Sequence, residues 1–275
     1  MSLEHRALAR GRVESQNAFR VGPEGITDHT SEAGLNLMND IVPARVGVRN
    51  RLLAKISPQD WALISPYLEM VSLKERQVVE VPNKPITHVY FVETGVVSVV
   101  AVNKEDHRIE VGVIGHEGMT GVPLVFGDDR AQHSAYMQIG GNGRRMPAIA
   151  FCEALNRSSS LRGLMMKSIQ AFMIQTAHTA LANGRAKLEE RLARWLLMAH
   201  DRLSTDAVPL THEFLAVMLG VRRAGVTVAL HSFERRGLIA ARRGQLTLVD
   251  RKGIEQVAGS FYGIPEAELR RLMGE

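Results

Sequence analysis

A single cysteine, Cys152, stands in a chain of 275 residues. Neither an intramolecular disulfide nor a four-thiolate iron-sulfur or zinc site can therefore be built within one chain. No apolar run reaches the length of a membrane-spanning helix. The N-terminus is charged and lacks the apolar segment of a secretory signal, so a cytoplasmic protein with no membrane partner is expected. Catalytic signatures are missing as well. No nucleophile stands beside a base, no glycine loop has the spacing that cradles phosphates, and no His-x-His pair is followed by a glutamate. His88, His107, His116 and His133 nevertheless fall in one β-rich stretch, which keeps a jelly-roll metalloenzyme with a basic tail as an alternative. The main reading requires no catalytic residue, no metal and no cofactor.

What is present is ordinary for a globular protein: 45% hydrophobic and 23% charged residues, with length enough for two cores. The net charge of +5 permits an anionic partner without naming one. Its distribution says more. Between Leu215 and Lys252 eight basic residues face only Glu234 and Asp250, an electrostatic footprint for phosphates.

The stretch LTHEFLAVMLGVRRAGVTVALHSFERR, residues 210–236, organises that segment. Thr211 is a ready N-cap, and Phe214, Leu215, Met218 and Leu219 share one helical face. Gly220 stands where a helix end takes a left-handed residue. After Val221 a second helical pattern carries Val226, Ala229, Leu230 and Phe233. The opposite face of this second helix bears Arg223, Ala224, Thr227, Val228 and His231, small or hydrogen-bonding side chains of the kind a DNA major groove admits. Gly237 then ends the helix, and Leu246 and Leu248 alternate with Thr247 after an Arg242-Arg243-Gly244 turn: a two-stranded wing with a basic tip.

These residues carry a resemblance. The segment is similar to the winged helix-turn-helix of the Crp-Fnr family of bacterial transcription regulators at Thr211, Leu215, Ala216, Leu219, Gly220, Val221, Arg223, Val226, Gly237, Leu238, Ile239 and Gly244. It departs from the family pattern at Arg222, where a serine is usual, and at Ala224 and Val228, where a base-reading glutamate and arginine are usual. The familiar operator is therefore not expected.

Upstream, residues 1–47 have little periodicity and read as a loosely packed extension, with a short helix at Leu3 to Arg20. Residues 50–56 read as helical, and Ser57 caps a second short helix opened by Pro58. Strands are expected at 78–81, 89–92, 96–100, 108–114 and 135–139, a spacing that fits a sandwich or jelly roll. In VYFVETGVVSVV, Thr94-Gly95 is read as the turn of a hairpin with both arms buried on one face. That stretch and IGHEGMTG resemble the cyclic-nucleotide-binding barrel of the same family.

The pocket departs from the family. Where relatives place a ribose-binding glutamate and a phosphate-gripping arginine, this chain has Gly118-Met119-Thr120 or Gly121-Val122-Pro123, and His133-Ser134-Ala135. A neutral histidine cannot replace a bidentate arginine, so tight cyclic-nucleotide binding is not expected. Arg130 is the substitute if a loop shift turns it inward. A cyclic-nucleotide-dependent regulator remains an alternative, and the small-molecule effector is unknown.

From Ser158 a helical stripe runs through Leu161, Leu164, Met165, Ile169, Phe172, Met173, Thr176 and Ala180, about 38 Å long at the helical rise. Leu161, Met165, Ile169, Phe172 and Thr176 are the expected dimer seam, a role the resemblance also implies. Asn183-Gly184 is read as the hinge. A helix resumes over 185–203, a linker covers 204–209, and short helices are expected at 253–259 and 265–273.

The expected fold is α+β: an extension (1–47), an N-terminal double-stranded β-helix or jelly-roll domain of effector type (48–157), a long dimerisation helix with hinge (158–184) and a C-terminal winged helix-turn-helix domain (185–275). The expected partner is double-stranded DNA, bound by a homodimer at an inverted repeat, with RNA polymerase as a further candidate partner. Arg222, Arg223, Thr227 and His231, with Thr211, are assigned to the reading face. Arg242, Arg243 and Lys252 are assigned to phosphates beside it.

Overall fold

The computed structural model describes residues 45, 47–242 and 244–275. The expected helix at Leu3 to Arg20 lies outside the described residues, as does Arg243.

Two short helices open the described chain, α1 (Arg51–Ala54) and α2 (Pro58–Ile64), the second capped by the Ser57 side chain. Seven strands follow: β1 (Glu69–Leu73), β2 (Val78–Glu80), β3 (His88–Val92), β4 (Val96–Val102), β5 (Arg108–Ile114), β6 (Ser134–Ile139) and β7 (Gly141–Pro147), with α3 (Val122–Val125) between β5 and β6. They form a four-stranded sheet ordered β2-β6-β4-β5 and a three-stranded sheet ordered β1-β7-β3. Leu73 and Val92 from one sheet and Val97, Val99, Ile114, Ala135 and Met137 from the other share one core. This is the sandwich that period-two apolar patterning builds when two inner faces meet.

The sandwich differs from expectation at two points. Among the described strands β3 pairs with β7, while β4 pairs with β5 and β6, so Thr94-Gly95 is no hairpin turn but a crossing from one sheet to the other. The two arms lie in different layers, because β3 takes the distant β7 as its partner while β4 forms a hairpin with β5 and pairs with β6 on its other side. β1 and β7 were not expected at all. β7 opens Gly141-Asn142-Gly143-Arg144-Arg145, which shows no apolar alternation, yet its glycines are needed by the packing. A Cβ at Gly141 would lie 2.1 Å from the Thr94 carbonyl oxygen.

Helix α4 (Ala148–Arg157) leads into α5 (Ser159–Arg185), 27 residues long and capped by the Ser158 hydroxyl, which accepts the Leu161 N–H at 3.0 Å. α5 continues through Asn183-Gly184 and ends only at Ala186, whose backbone is extended. The break between the two helices thus falls at Ala186-Lys187, both extended, and not at Asn183-Gly184. Asn-Gly was read as a break because glycine weakens a helix, but one exposed glycine in a long helix costs only ~1 kcal/mol.

The last part of the chain comprises α6 (Leu188–His200), β8 (Ala207–Pro209), α7 (His212–Leu219), α8 (Arg223–Arg235), β9 (Ile239–Arg242), β10 (Gln245–Leu248), α9 (Arg251–Ala258) and α10 (Ile264–Met273). The wing has three strands, ordered β8-β10-β9. The expected linker at 204–209 supplies the third strand, Val208 pairing with Leu246. Among the described residues no single helix is long and apolar enough to cross a membrane.

Candidate nucleic-acid interface

The Thr211 hydroxyl accepts the Phe214 N–H at 3.2 Å and starts α7. Gly220 ends it at φ 60°, a left-handed conformation that a side chain would resist. α8 then departs at 110° to α7. Leu215, Ala216, Met218 and Leu219 of α7 and Val226, Ala229, Leu230 and Phe233 of α8 are buried.

On the open side of α8, Arg223, Ala224, Val228, His231 and Arg235 are solvent-exposed. They share one helical face, and Val228 is 68% exposed. An unpartnered β-branched side chain among arginines suits the methyl group of a thymine. Arg222 is exposed at the N-cap of α8. Thr227 is different. Its hydroxyl donates to the Arg223 carbonyl at 3.1 Å and lies 2.9 Å from the His212 Nδ1, so it joins α7 to α8. His212, which the sequence reading overlooked, is the other half of that joint.

Of the wing-side cations, Arg242 and Lys252 are exposed. Arg251 is not available to a phosphate: it pairs with Asp201 at 2.7 Å and Glu255 at 2.9 Å, and donates to the Tyr262 hydroxyl at 2.8 Å. Its charge belongs to the packing of α9 on α6.

The reading unit is docked on the outer face of the four-stranded sheet. Glu110 of β5 accepts from the Ser98 hydroxyl at 2.5 Å and from the Trp195 indole N–H at 2.7 Å. Met218 of α7 closes over Ser98 and Tyr136. Burial pushes the Glu110 carboxyl up to about 7, against the two hydrogen bonds that favour its charged form. A charged residue in an alternating strand reads as solvent-facing; here that face is covered by another part of the chain.

Between the sandwich and α5 lies a cavity of about 600 Å³. Of the pocket candidates, Thr120 and His133 line it. The others do not. Met119 is buried in the core beneath α4, the Gly118 carbonyl accepts from the Asn50 side chain, and Ser134 is half-buried outside the lining. Arg130 is exposed, with its guanidinium donating to the Asn83 carbonyl. The lining holds two carboxylates, Glu80 and Asp128, and neither lysine nor arginine. Glu80 accepts the Gly121 N–H at 2.5 Å, and burial raises its pKa above the usual carboxylate range. Among the described residues no group of three or more His, Cys, Asp or Glu is placed to hold a metal ion.

The expected seam along α5 is corrected by burial. Leu161, Met165 and Ile169 are 1%, 0% and 3% exposed and belong to the chain's own core. Phe172 and Thr176 are half-buried and line the cavity, whose rim Met173 and Ala177 share from their exposed positions. The open face instead carries Met166, Gln170, Met173, Ala177, Ala180 and Gly184, spaced four, three, four, three and four apart. The most apolar stripe of the helix was taken for the outer one, whereas its own domain claims it first.

Residues 190–257 match the Crp-like helix-turn-helix domain family. The transcriptional regulator SdrP of Thermus thermophilus is 24% identical over 200 residues, which span 70% of this chain and 95% of that protein. Among solved structures, FixK2 of Bradyrhizobium japonicum superposes with a TM-score of 0.62 at 17% identity, covering 70% of this chain and 98% of its own. A CRP/FNR-family transcriptional regulator of Thermus thermophilus gives 0.57 at 22% identity, over 70% and 100%.

Proposed function

We propose that this chain is a transcriptional regulator of the Crp/Fnr type, its residues 190–257 matching the Crp-like helix-turn-helix domain, and that it acts in the cytoplasm as a homodimer on an inverted-repeat DNA site. The observation that carries the reading is the open face of α8. It is cationic at its N-terminal end, free of carboxylates, and not covered by any described part of the chain. Arg223 reads a base edge, Arg222 a base or phosphate near it, and Val228 and His231 the next turn of the helix. Thr227 holds the reading helix on α7, and Thr211 caps α7 at the backbone. Arg242 and Lys252, with Arg243 at the wing tip in sequence, contact phosphates.

The dimer forms along the open face of α5. Small and flexible side chains in a three-four repeat let two helices approach in a parallel pair. Two-fold symmetry then sets the half-sites about 34 Å apart. The division at 157/158 and 184/185 into sandwich, rod and reading head belongs to the same reading, the rod's last turn ending at Arg185.

The cavity makes cyclic nucleotide a poor effector. A cyclic phosphate placed between Glu80 and Asp128 would meet two carboxylates and no cation, which charge-assisted recognition of a phosphate requires. Calorimetry with cyclic AMP and cyclic GMP is expected to give no saturable heat in the micromolar range. Selection of bound sequences from random duplex DNA tests the central claim: enrichment of an inverted repeat is expected, and recovery of unrelated sequences would refute it.

A further inference from the structure

The family domain ends at residue 257, but the chain does not stay with the reading head. Gly259 and Gly263 adopt φ of 55° and 107°, turning the backbone back toward the sandwich. Between them the Phe261 carbonyl accepts from Arg194 Nε at 3.1 Å, and the same guanidinium reaches the Gln175 carbonyl and the Thr179 hydroxyl of α5. One arginine thus ties the returning chain, α6 and the rod together.

α10 then lies along α5. Leu269 and Met273 enter the core built by α1, α2, β3, α4 and α5. The Glu275 side chain pairs with Lys55 at 3.2 Å and accepts from Arg51 Nε at 3.3 Å. The exposed ion pairs contribute little by themselves; the two apolar side chains are the main hold. The seat of α10 is divided from the large cavity by Ile114, Val122, Ile169 and Phe172, which line both.

The reading head is therefore held at several places: the extended joint at Ala186-Lys187, Arg194 on α5, Trp195 and Met218 on the four-stranded sheet, and α10. The hold of α10 differs from the others in lying in a separate core, that of α1, α2, β3, α4 and α5. We propose that α10 is a positioning element of the reading head, whose apolar hold keeps the head in its docked place on the sheet and so fixes the angle at which α8 leaves the rod and the half-site spacing that a dimer accepts. The inference rests on the dimeric reading given above.

The test compares the full chain with a chain ending at Tyr262 and with the full-length double variant Leu269→Gln/Met273→Gln, in which α10 is present but its apolar hold is lost. Affinities are measured for one half-site alone and for the selected inverted repeat with its spacing changed by two base pairs. Such a shift rotates one half-site about 70° round the duplex. For the full chain it is expected to cost about tenfold or more, and for both variants less than about threefold, because a loosely hung head can follow the rotated site. Half-site affinity is expected to stay within about twofold in all three, since single-site contacts do not involve the rod. An unchanged spacing penalty in the double variant would overturn the proposal. So would a loss of half-site affinity in both variants, which would make α10 part of the head's own fold. A full chain indifferent to inverted repeats would instead sink the dimeric reading and take this inference with it.

Discussion

At the scale of single residues, Arg223 and Glu110 illustrate opposite kinds of legibility. Arg223 opens a helix whose apolar face is plain in the sequence, so its outward direction follows from spacing alone. On the proposed reading its exposed guanidinium meets a guanine edge, and Arg223→Ala is expected to reduce discrimination between the selected and a random duplex by about 1–3 kcal/mol. Competition binding measures this, and undiminished discrimination would remove Arg223 from the reading role. Glu110 was invisible as a buried group, because its partners Ser98 and Trp195 are 12 and 85 residues away. Its folded-state pKa of about 7 lies above the ordinary glutamate value of 4.5, so between those values the native state holds a proton that the unfolded chain has released. The contribution is full below pH 4.5 and is lost as pH rises toward 7, by an order of about 3 kcal/mol. Urea denaturation should show this decline in the wild type and a flatter profile in Glu110→Gln, whose amide stays neutral throughout. Identical profiles would mean that the carboxyl titrates elsewhere.

At the scale of elements, α5 shows how a correct helix can be given the wrong faces. Its 27 residues and Ser158 cap are local features, and the stripe of Leu161, Met165 and Ile169 is unmistakable. Whether that stripe meets a twin or its own sandwich is not local, and the sandwich takes it. Two substitutions separate the faces. Met165→Ala empties a fully buried position and is expected to lower stability by about 2–5 kcal/mol in chemical denaturation while the folded protein remains dimeric. Ala180→Glu, on the open face, brings like charges together across the symmetry axis and is expected to shift sedimentation toward the monomer with stability of the fold little changed. A dimer that persists in Ala180→Glu would place the contact between subunits off this face. The strands follow the same logic. Those with apolar alternation were legible, whereas β7 was not, since its glycines answer to close approach of Thr94 and Leu73 rather than to burial of side chains.

At the scale of the whole molecule, the distribution of charge matters more than its total. Arg242 at the wing and the arginines opening α8 are exposed, while Arg251 pairs with Asp201 and Glu255 within the fold. DNA affinity should therefore fall with salt, and Arg242→Ala should weaken selected and random duplexes alike while lowering the slope of log K against log salt by about one. Arg251→Ala should instead lower stability, measured by thermal unfolding, through the packing of α9. A sequence-dependent effect of Arg242→Ala would make that residue a base reader.

The amino-acid order by itself determined the helix caps, the turn at Gly220, the open face of α8 and the apolar strands, because each depends on residues a few positions apart and on backbone preferences that water and neighbours enforce locally. Only the tertiary structure decided that β3 and β4 part company at Thr94-Gly95, that α5 turns its richest stripe inward, that Glu110 is covered by Trp195 and Met218, and that the chain's last helix returns to the sandwich. Those outcomes depend on which distant surfaces exclude water from one another, and a choice among competing apolar faces has no signature within any one of them.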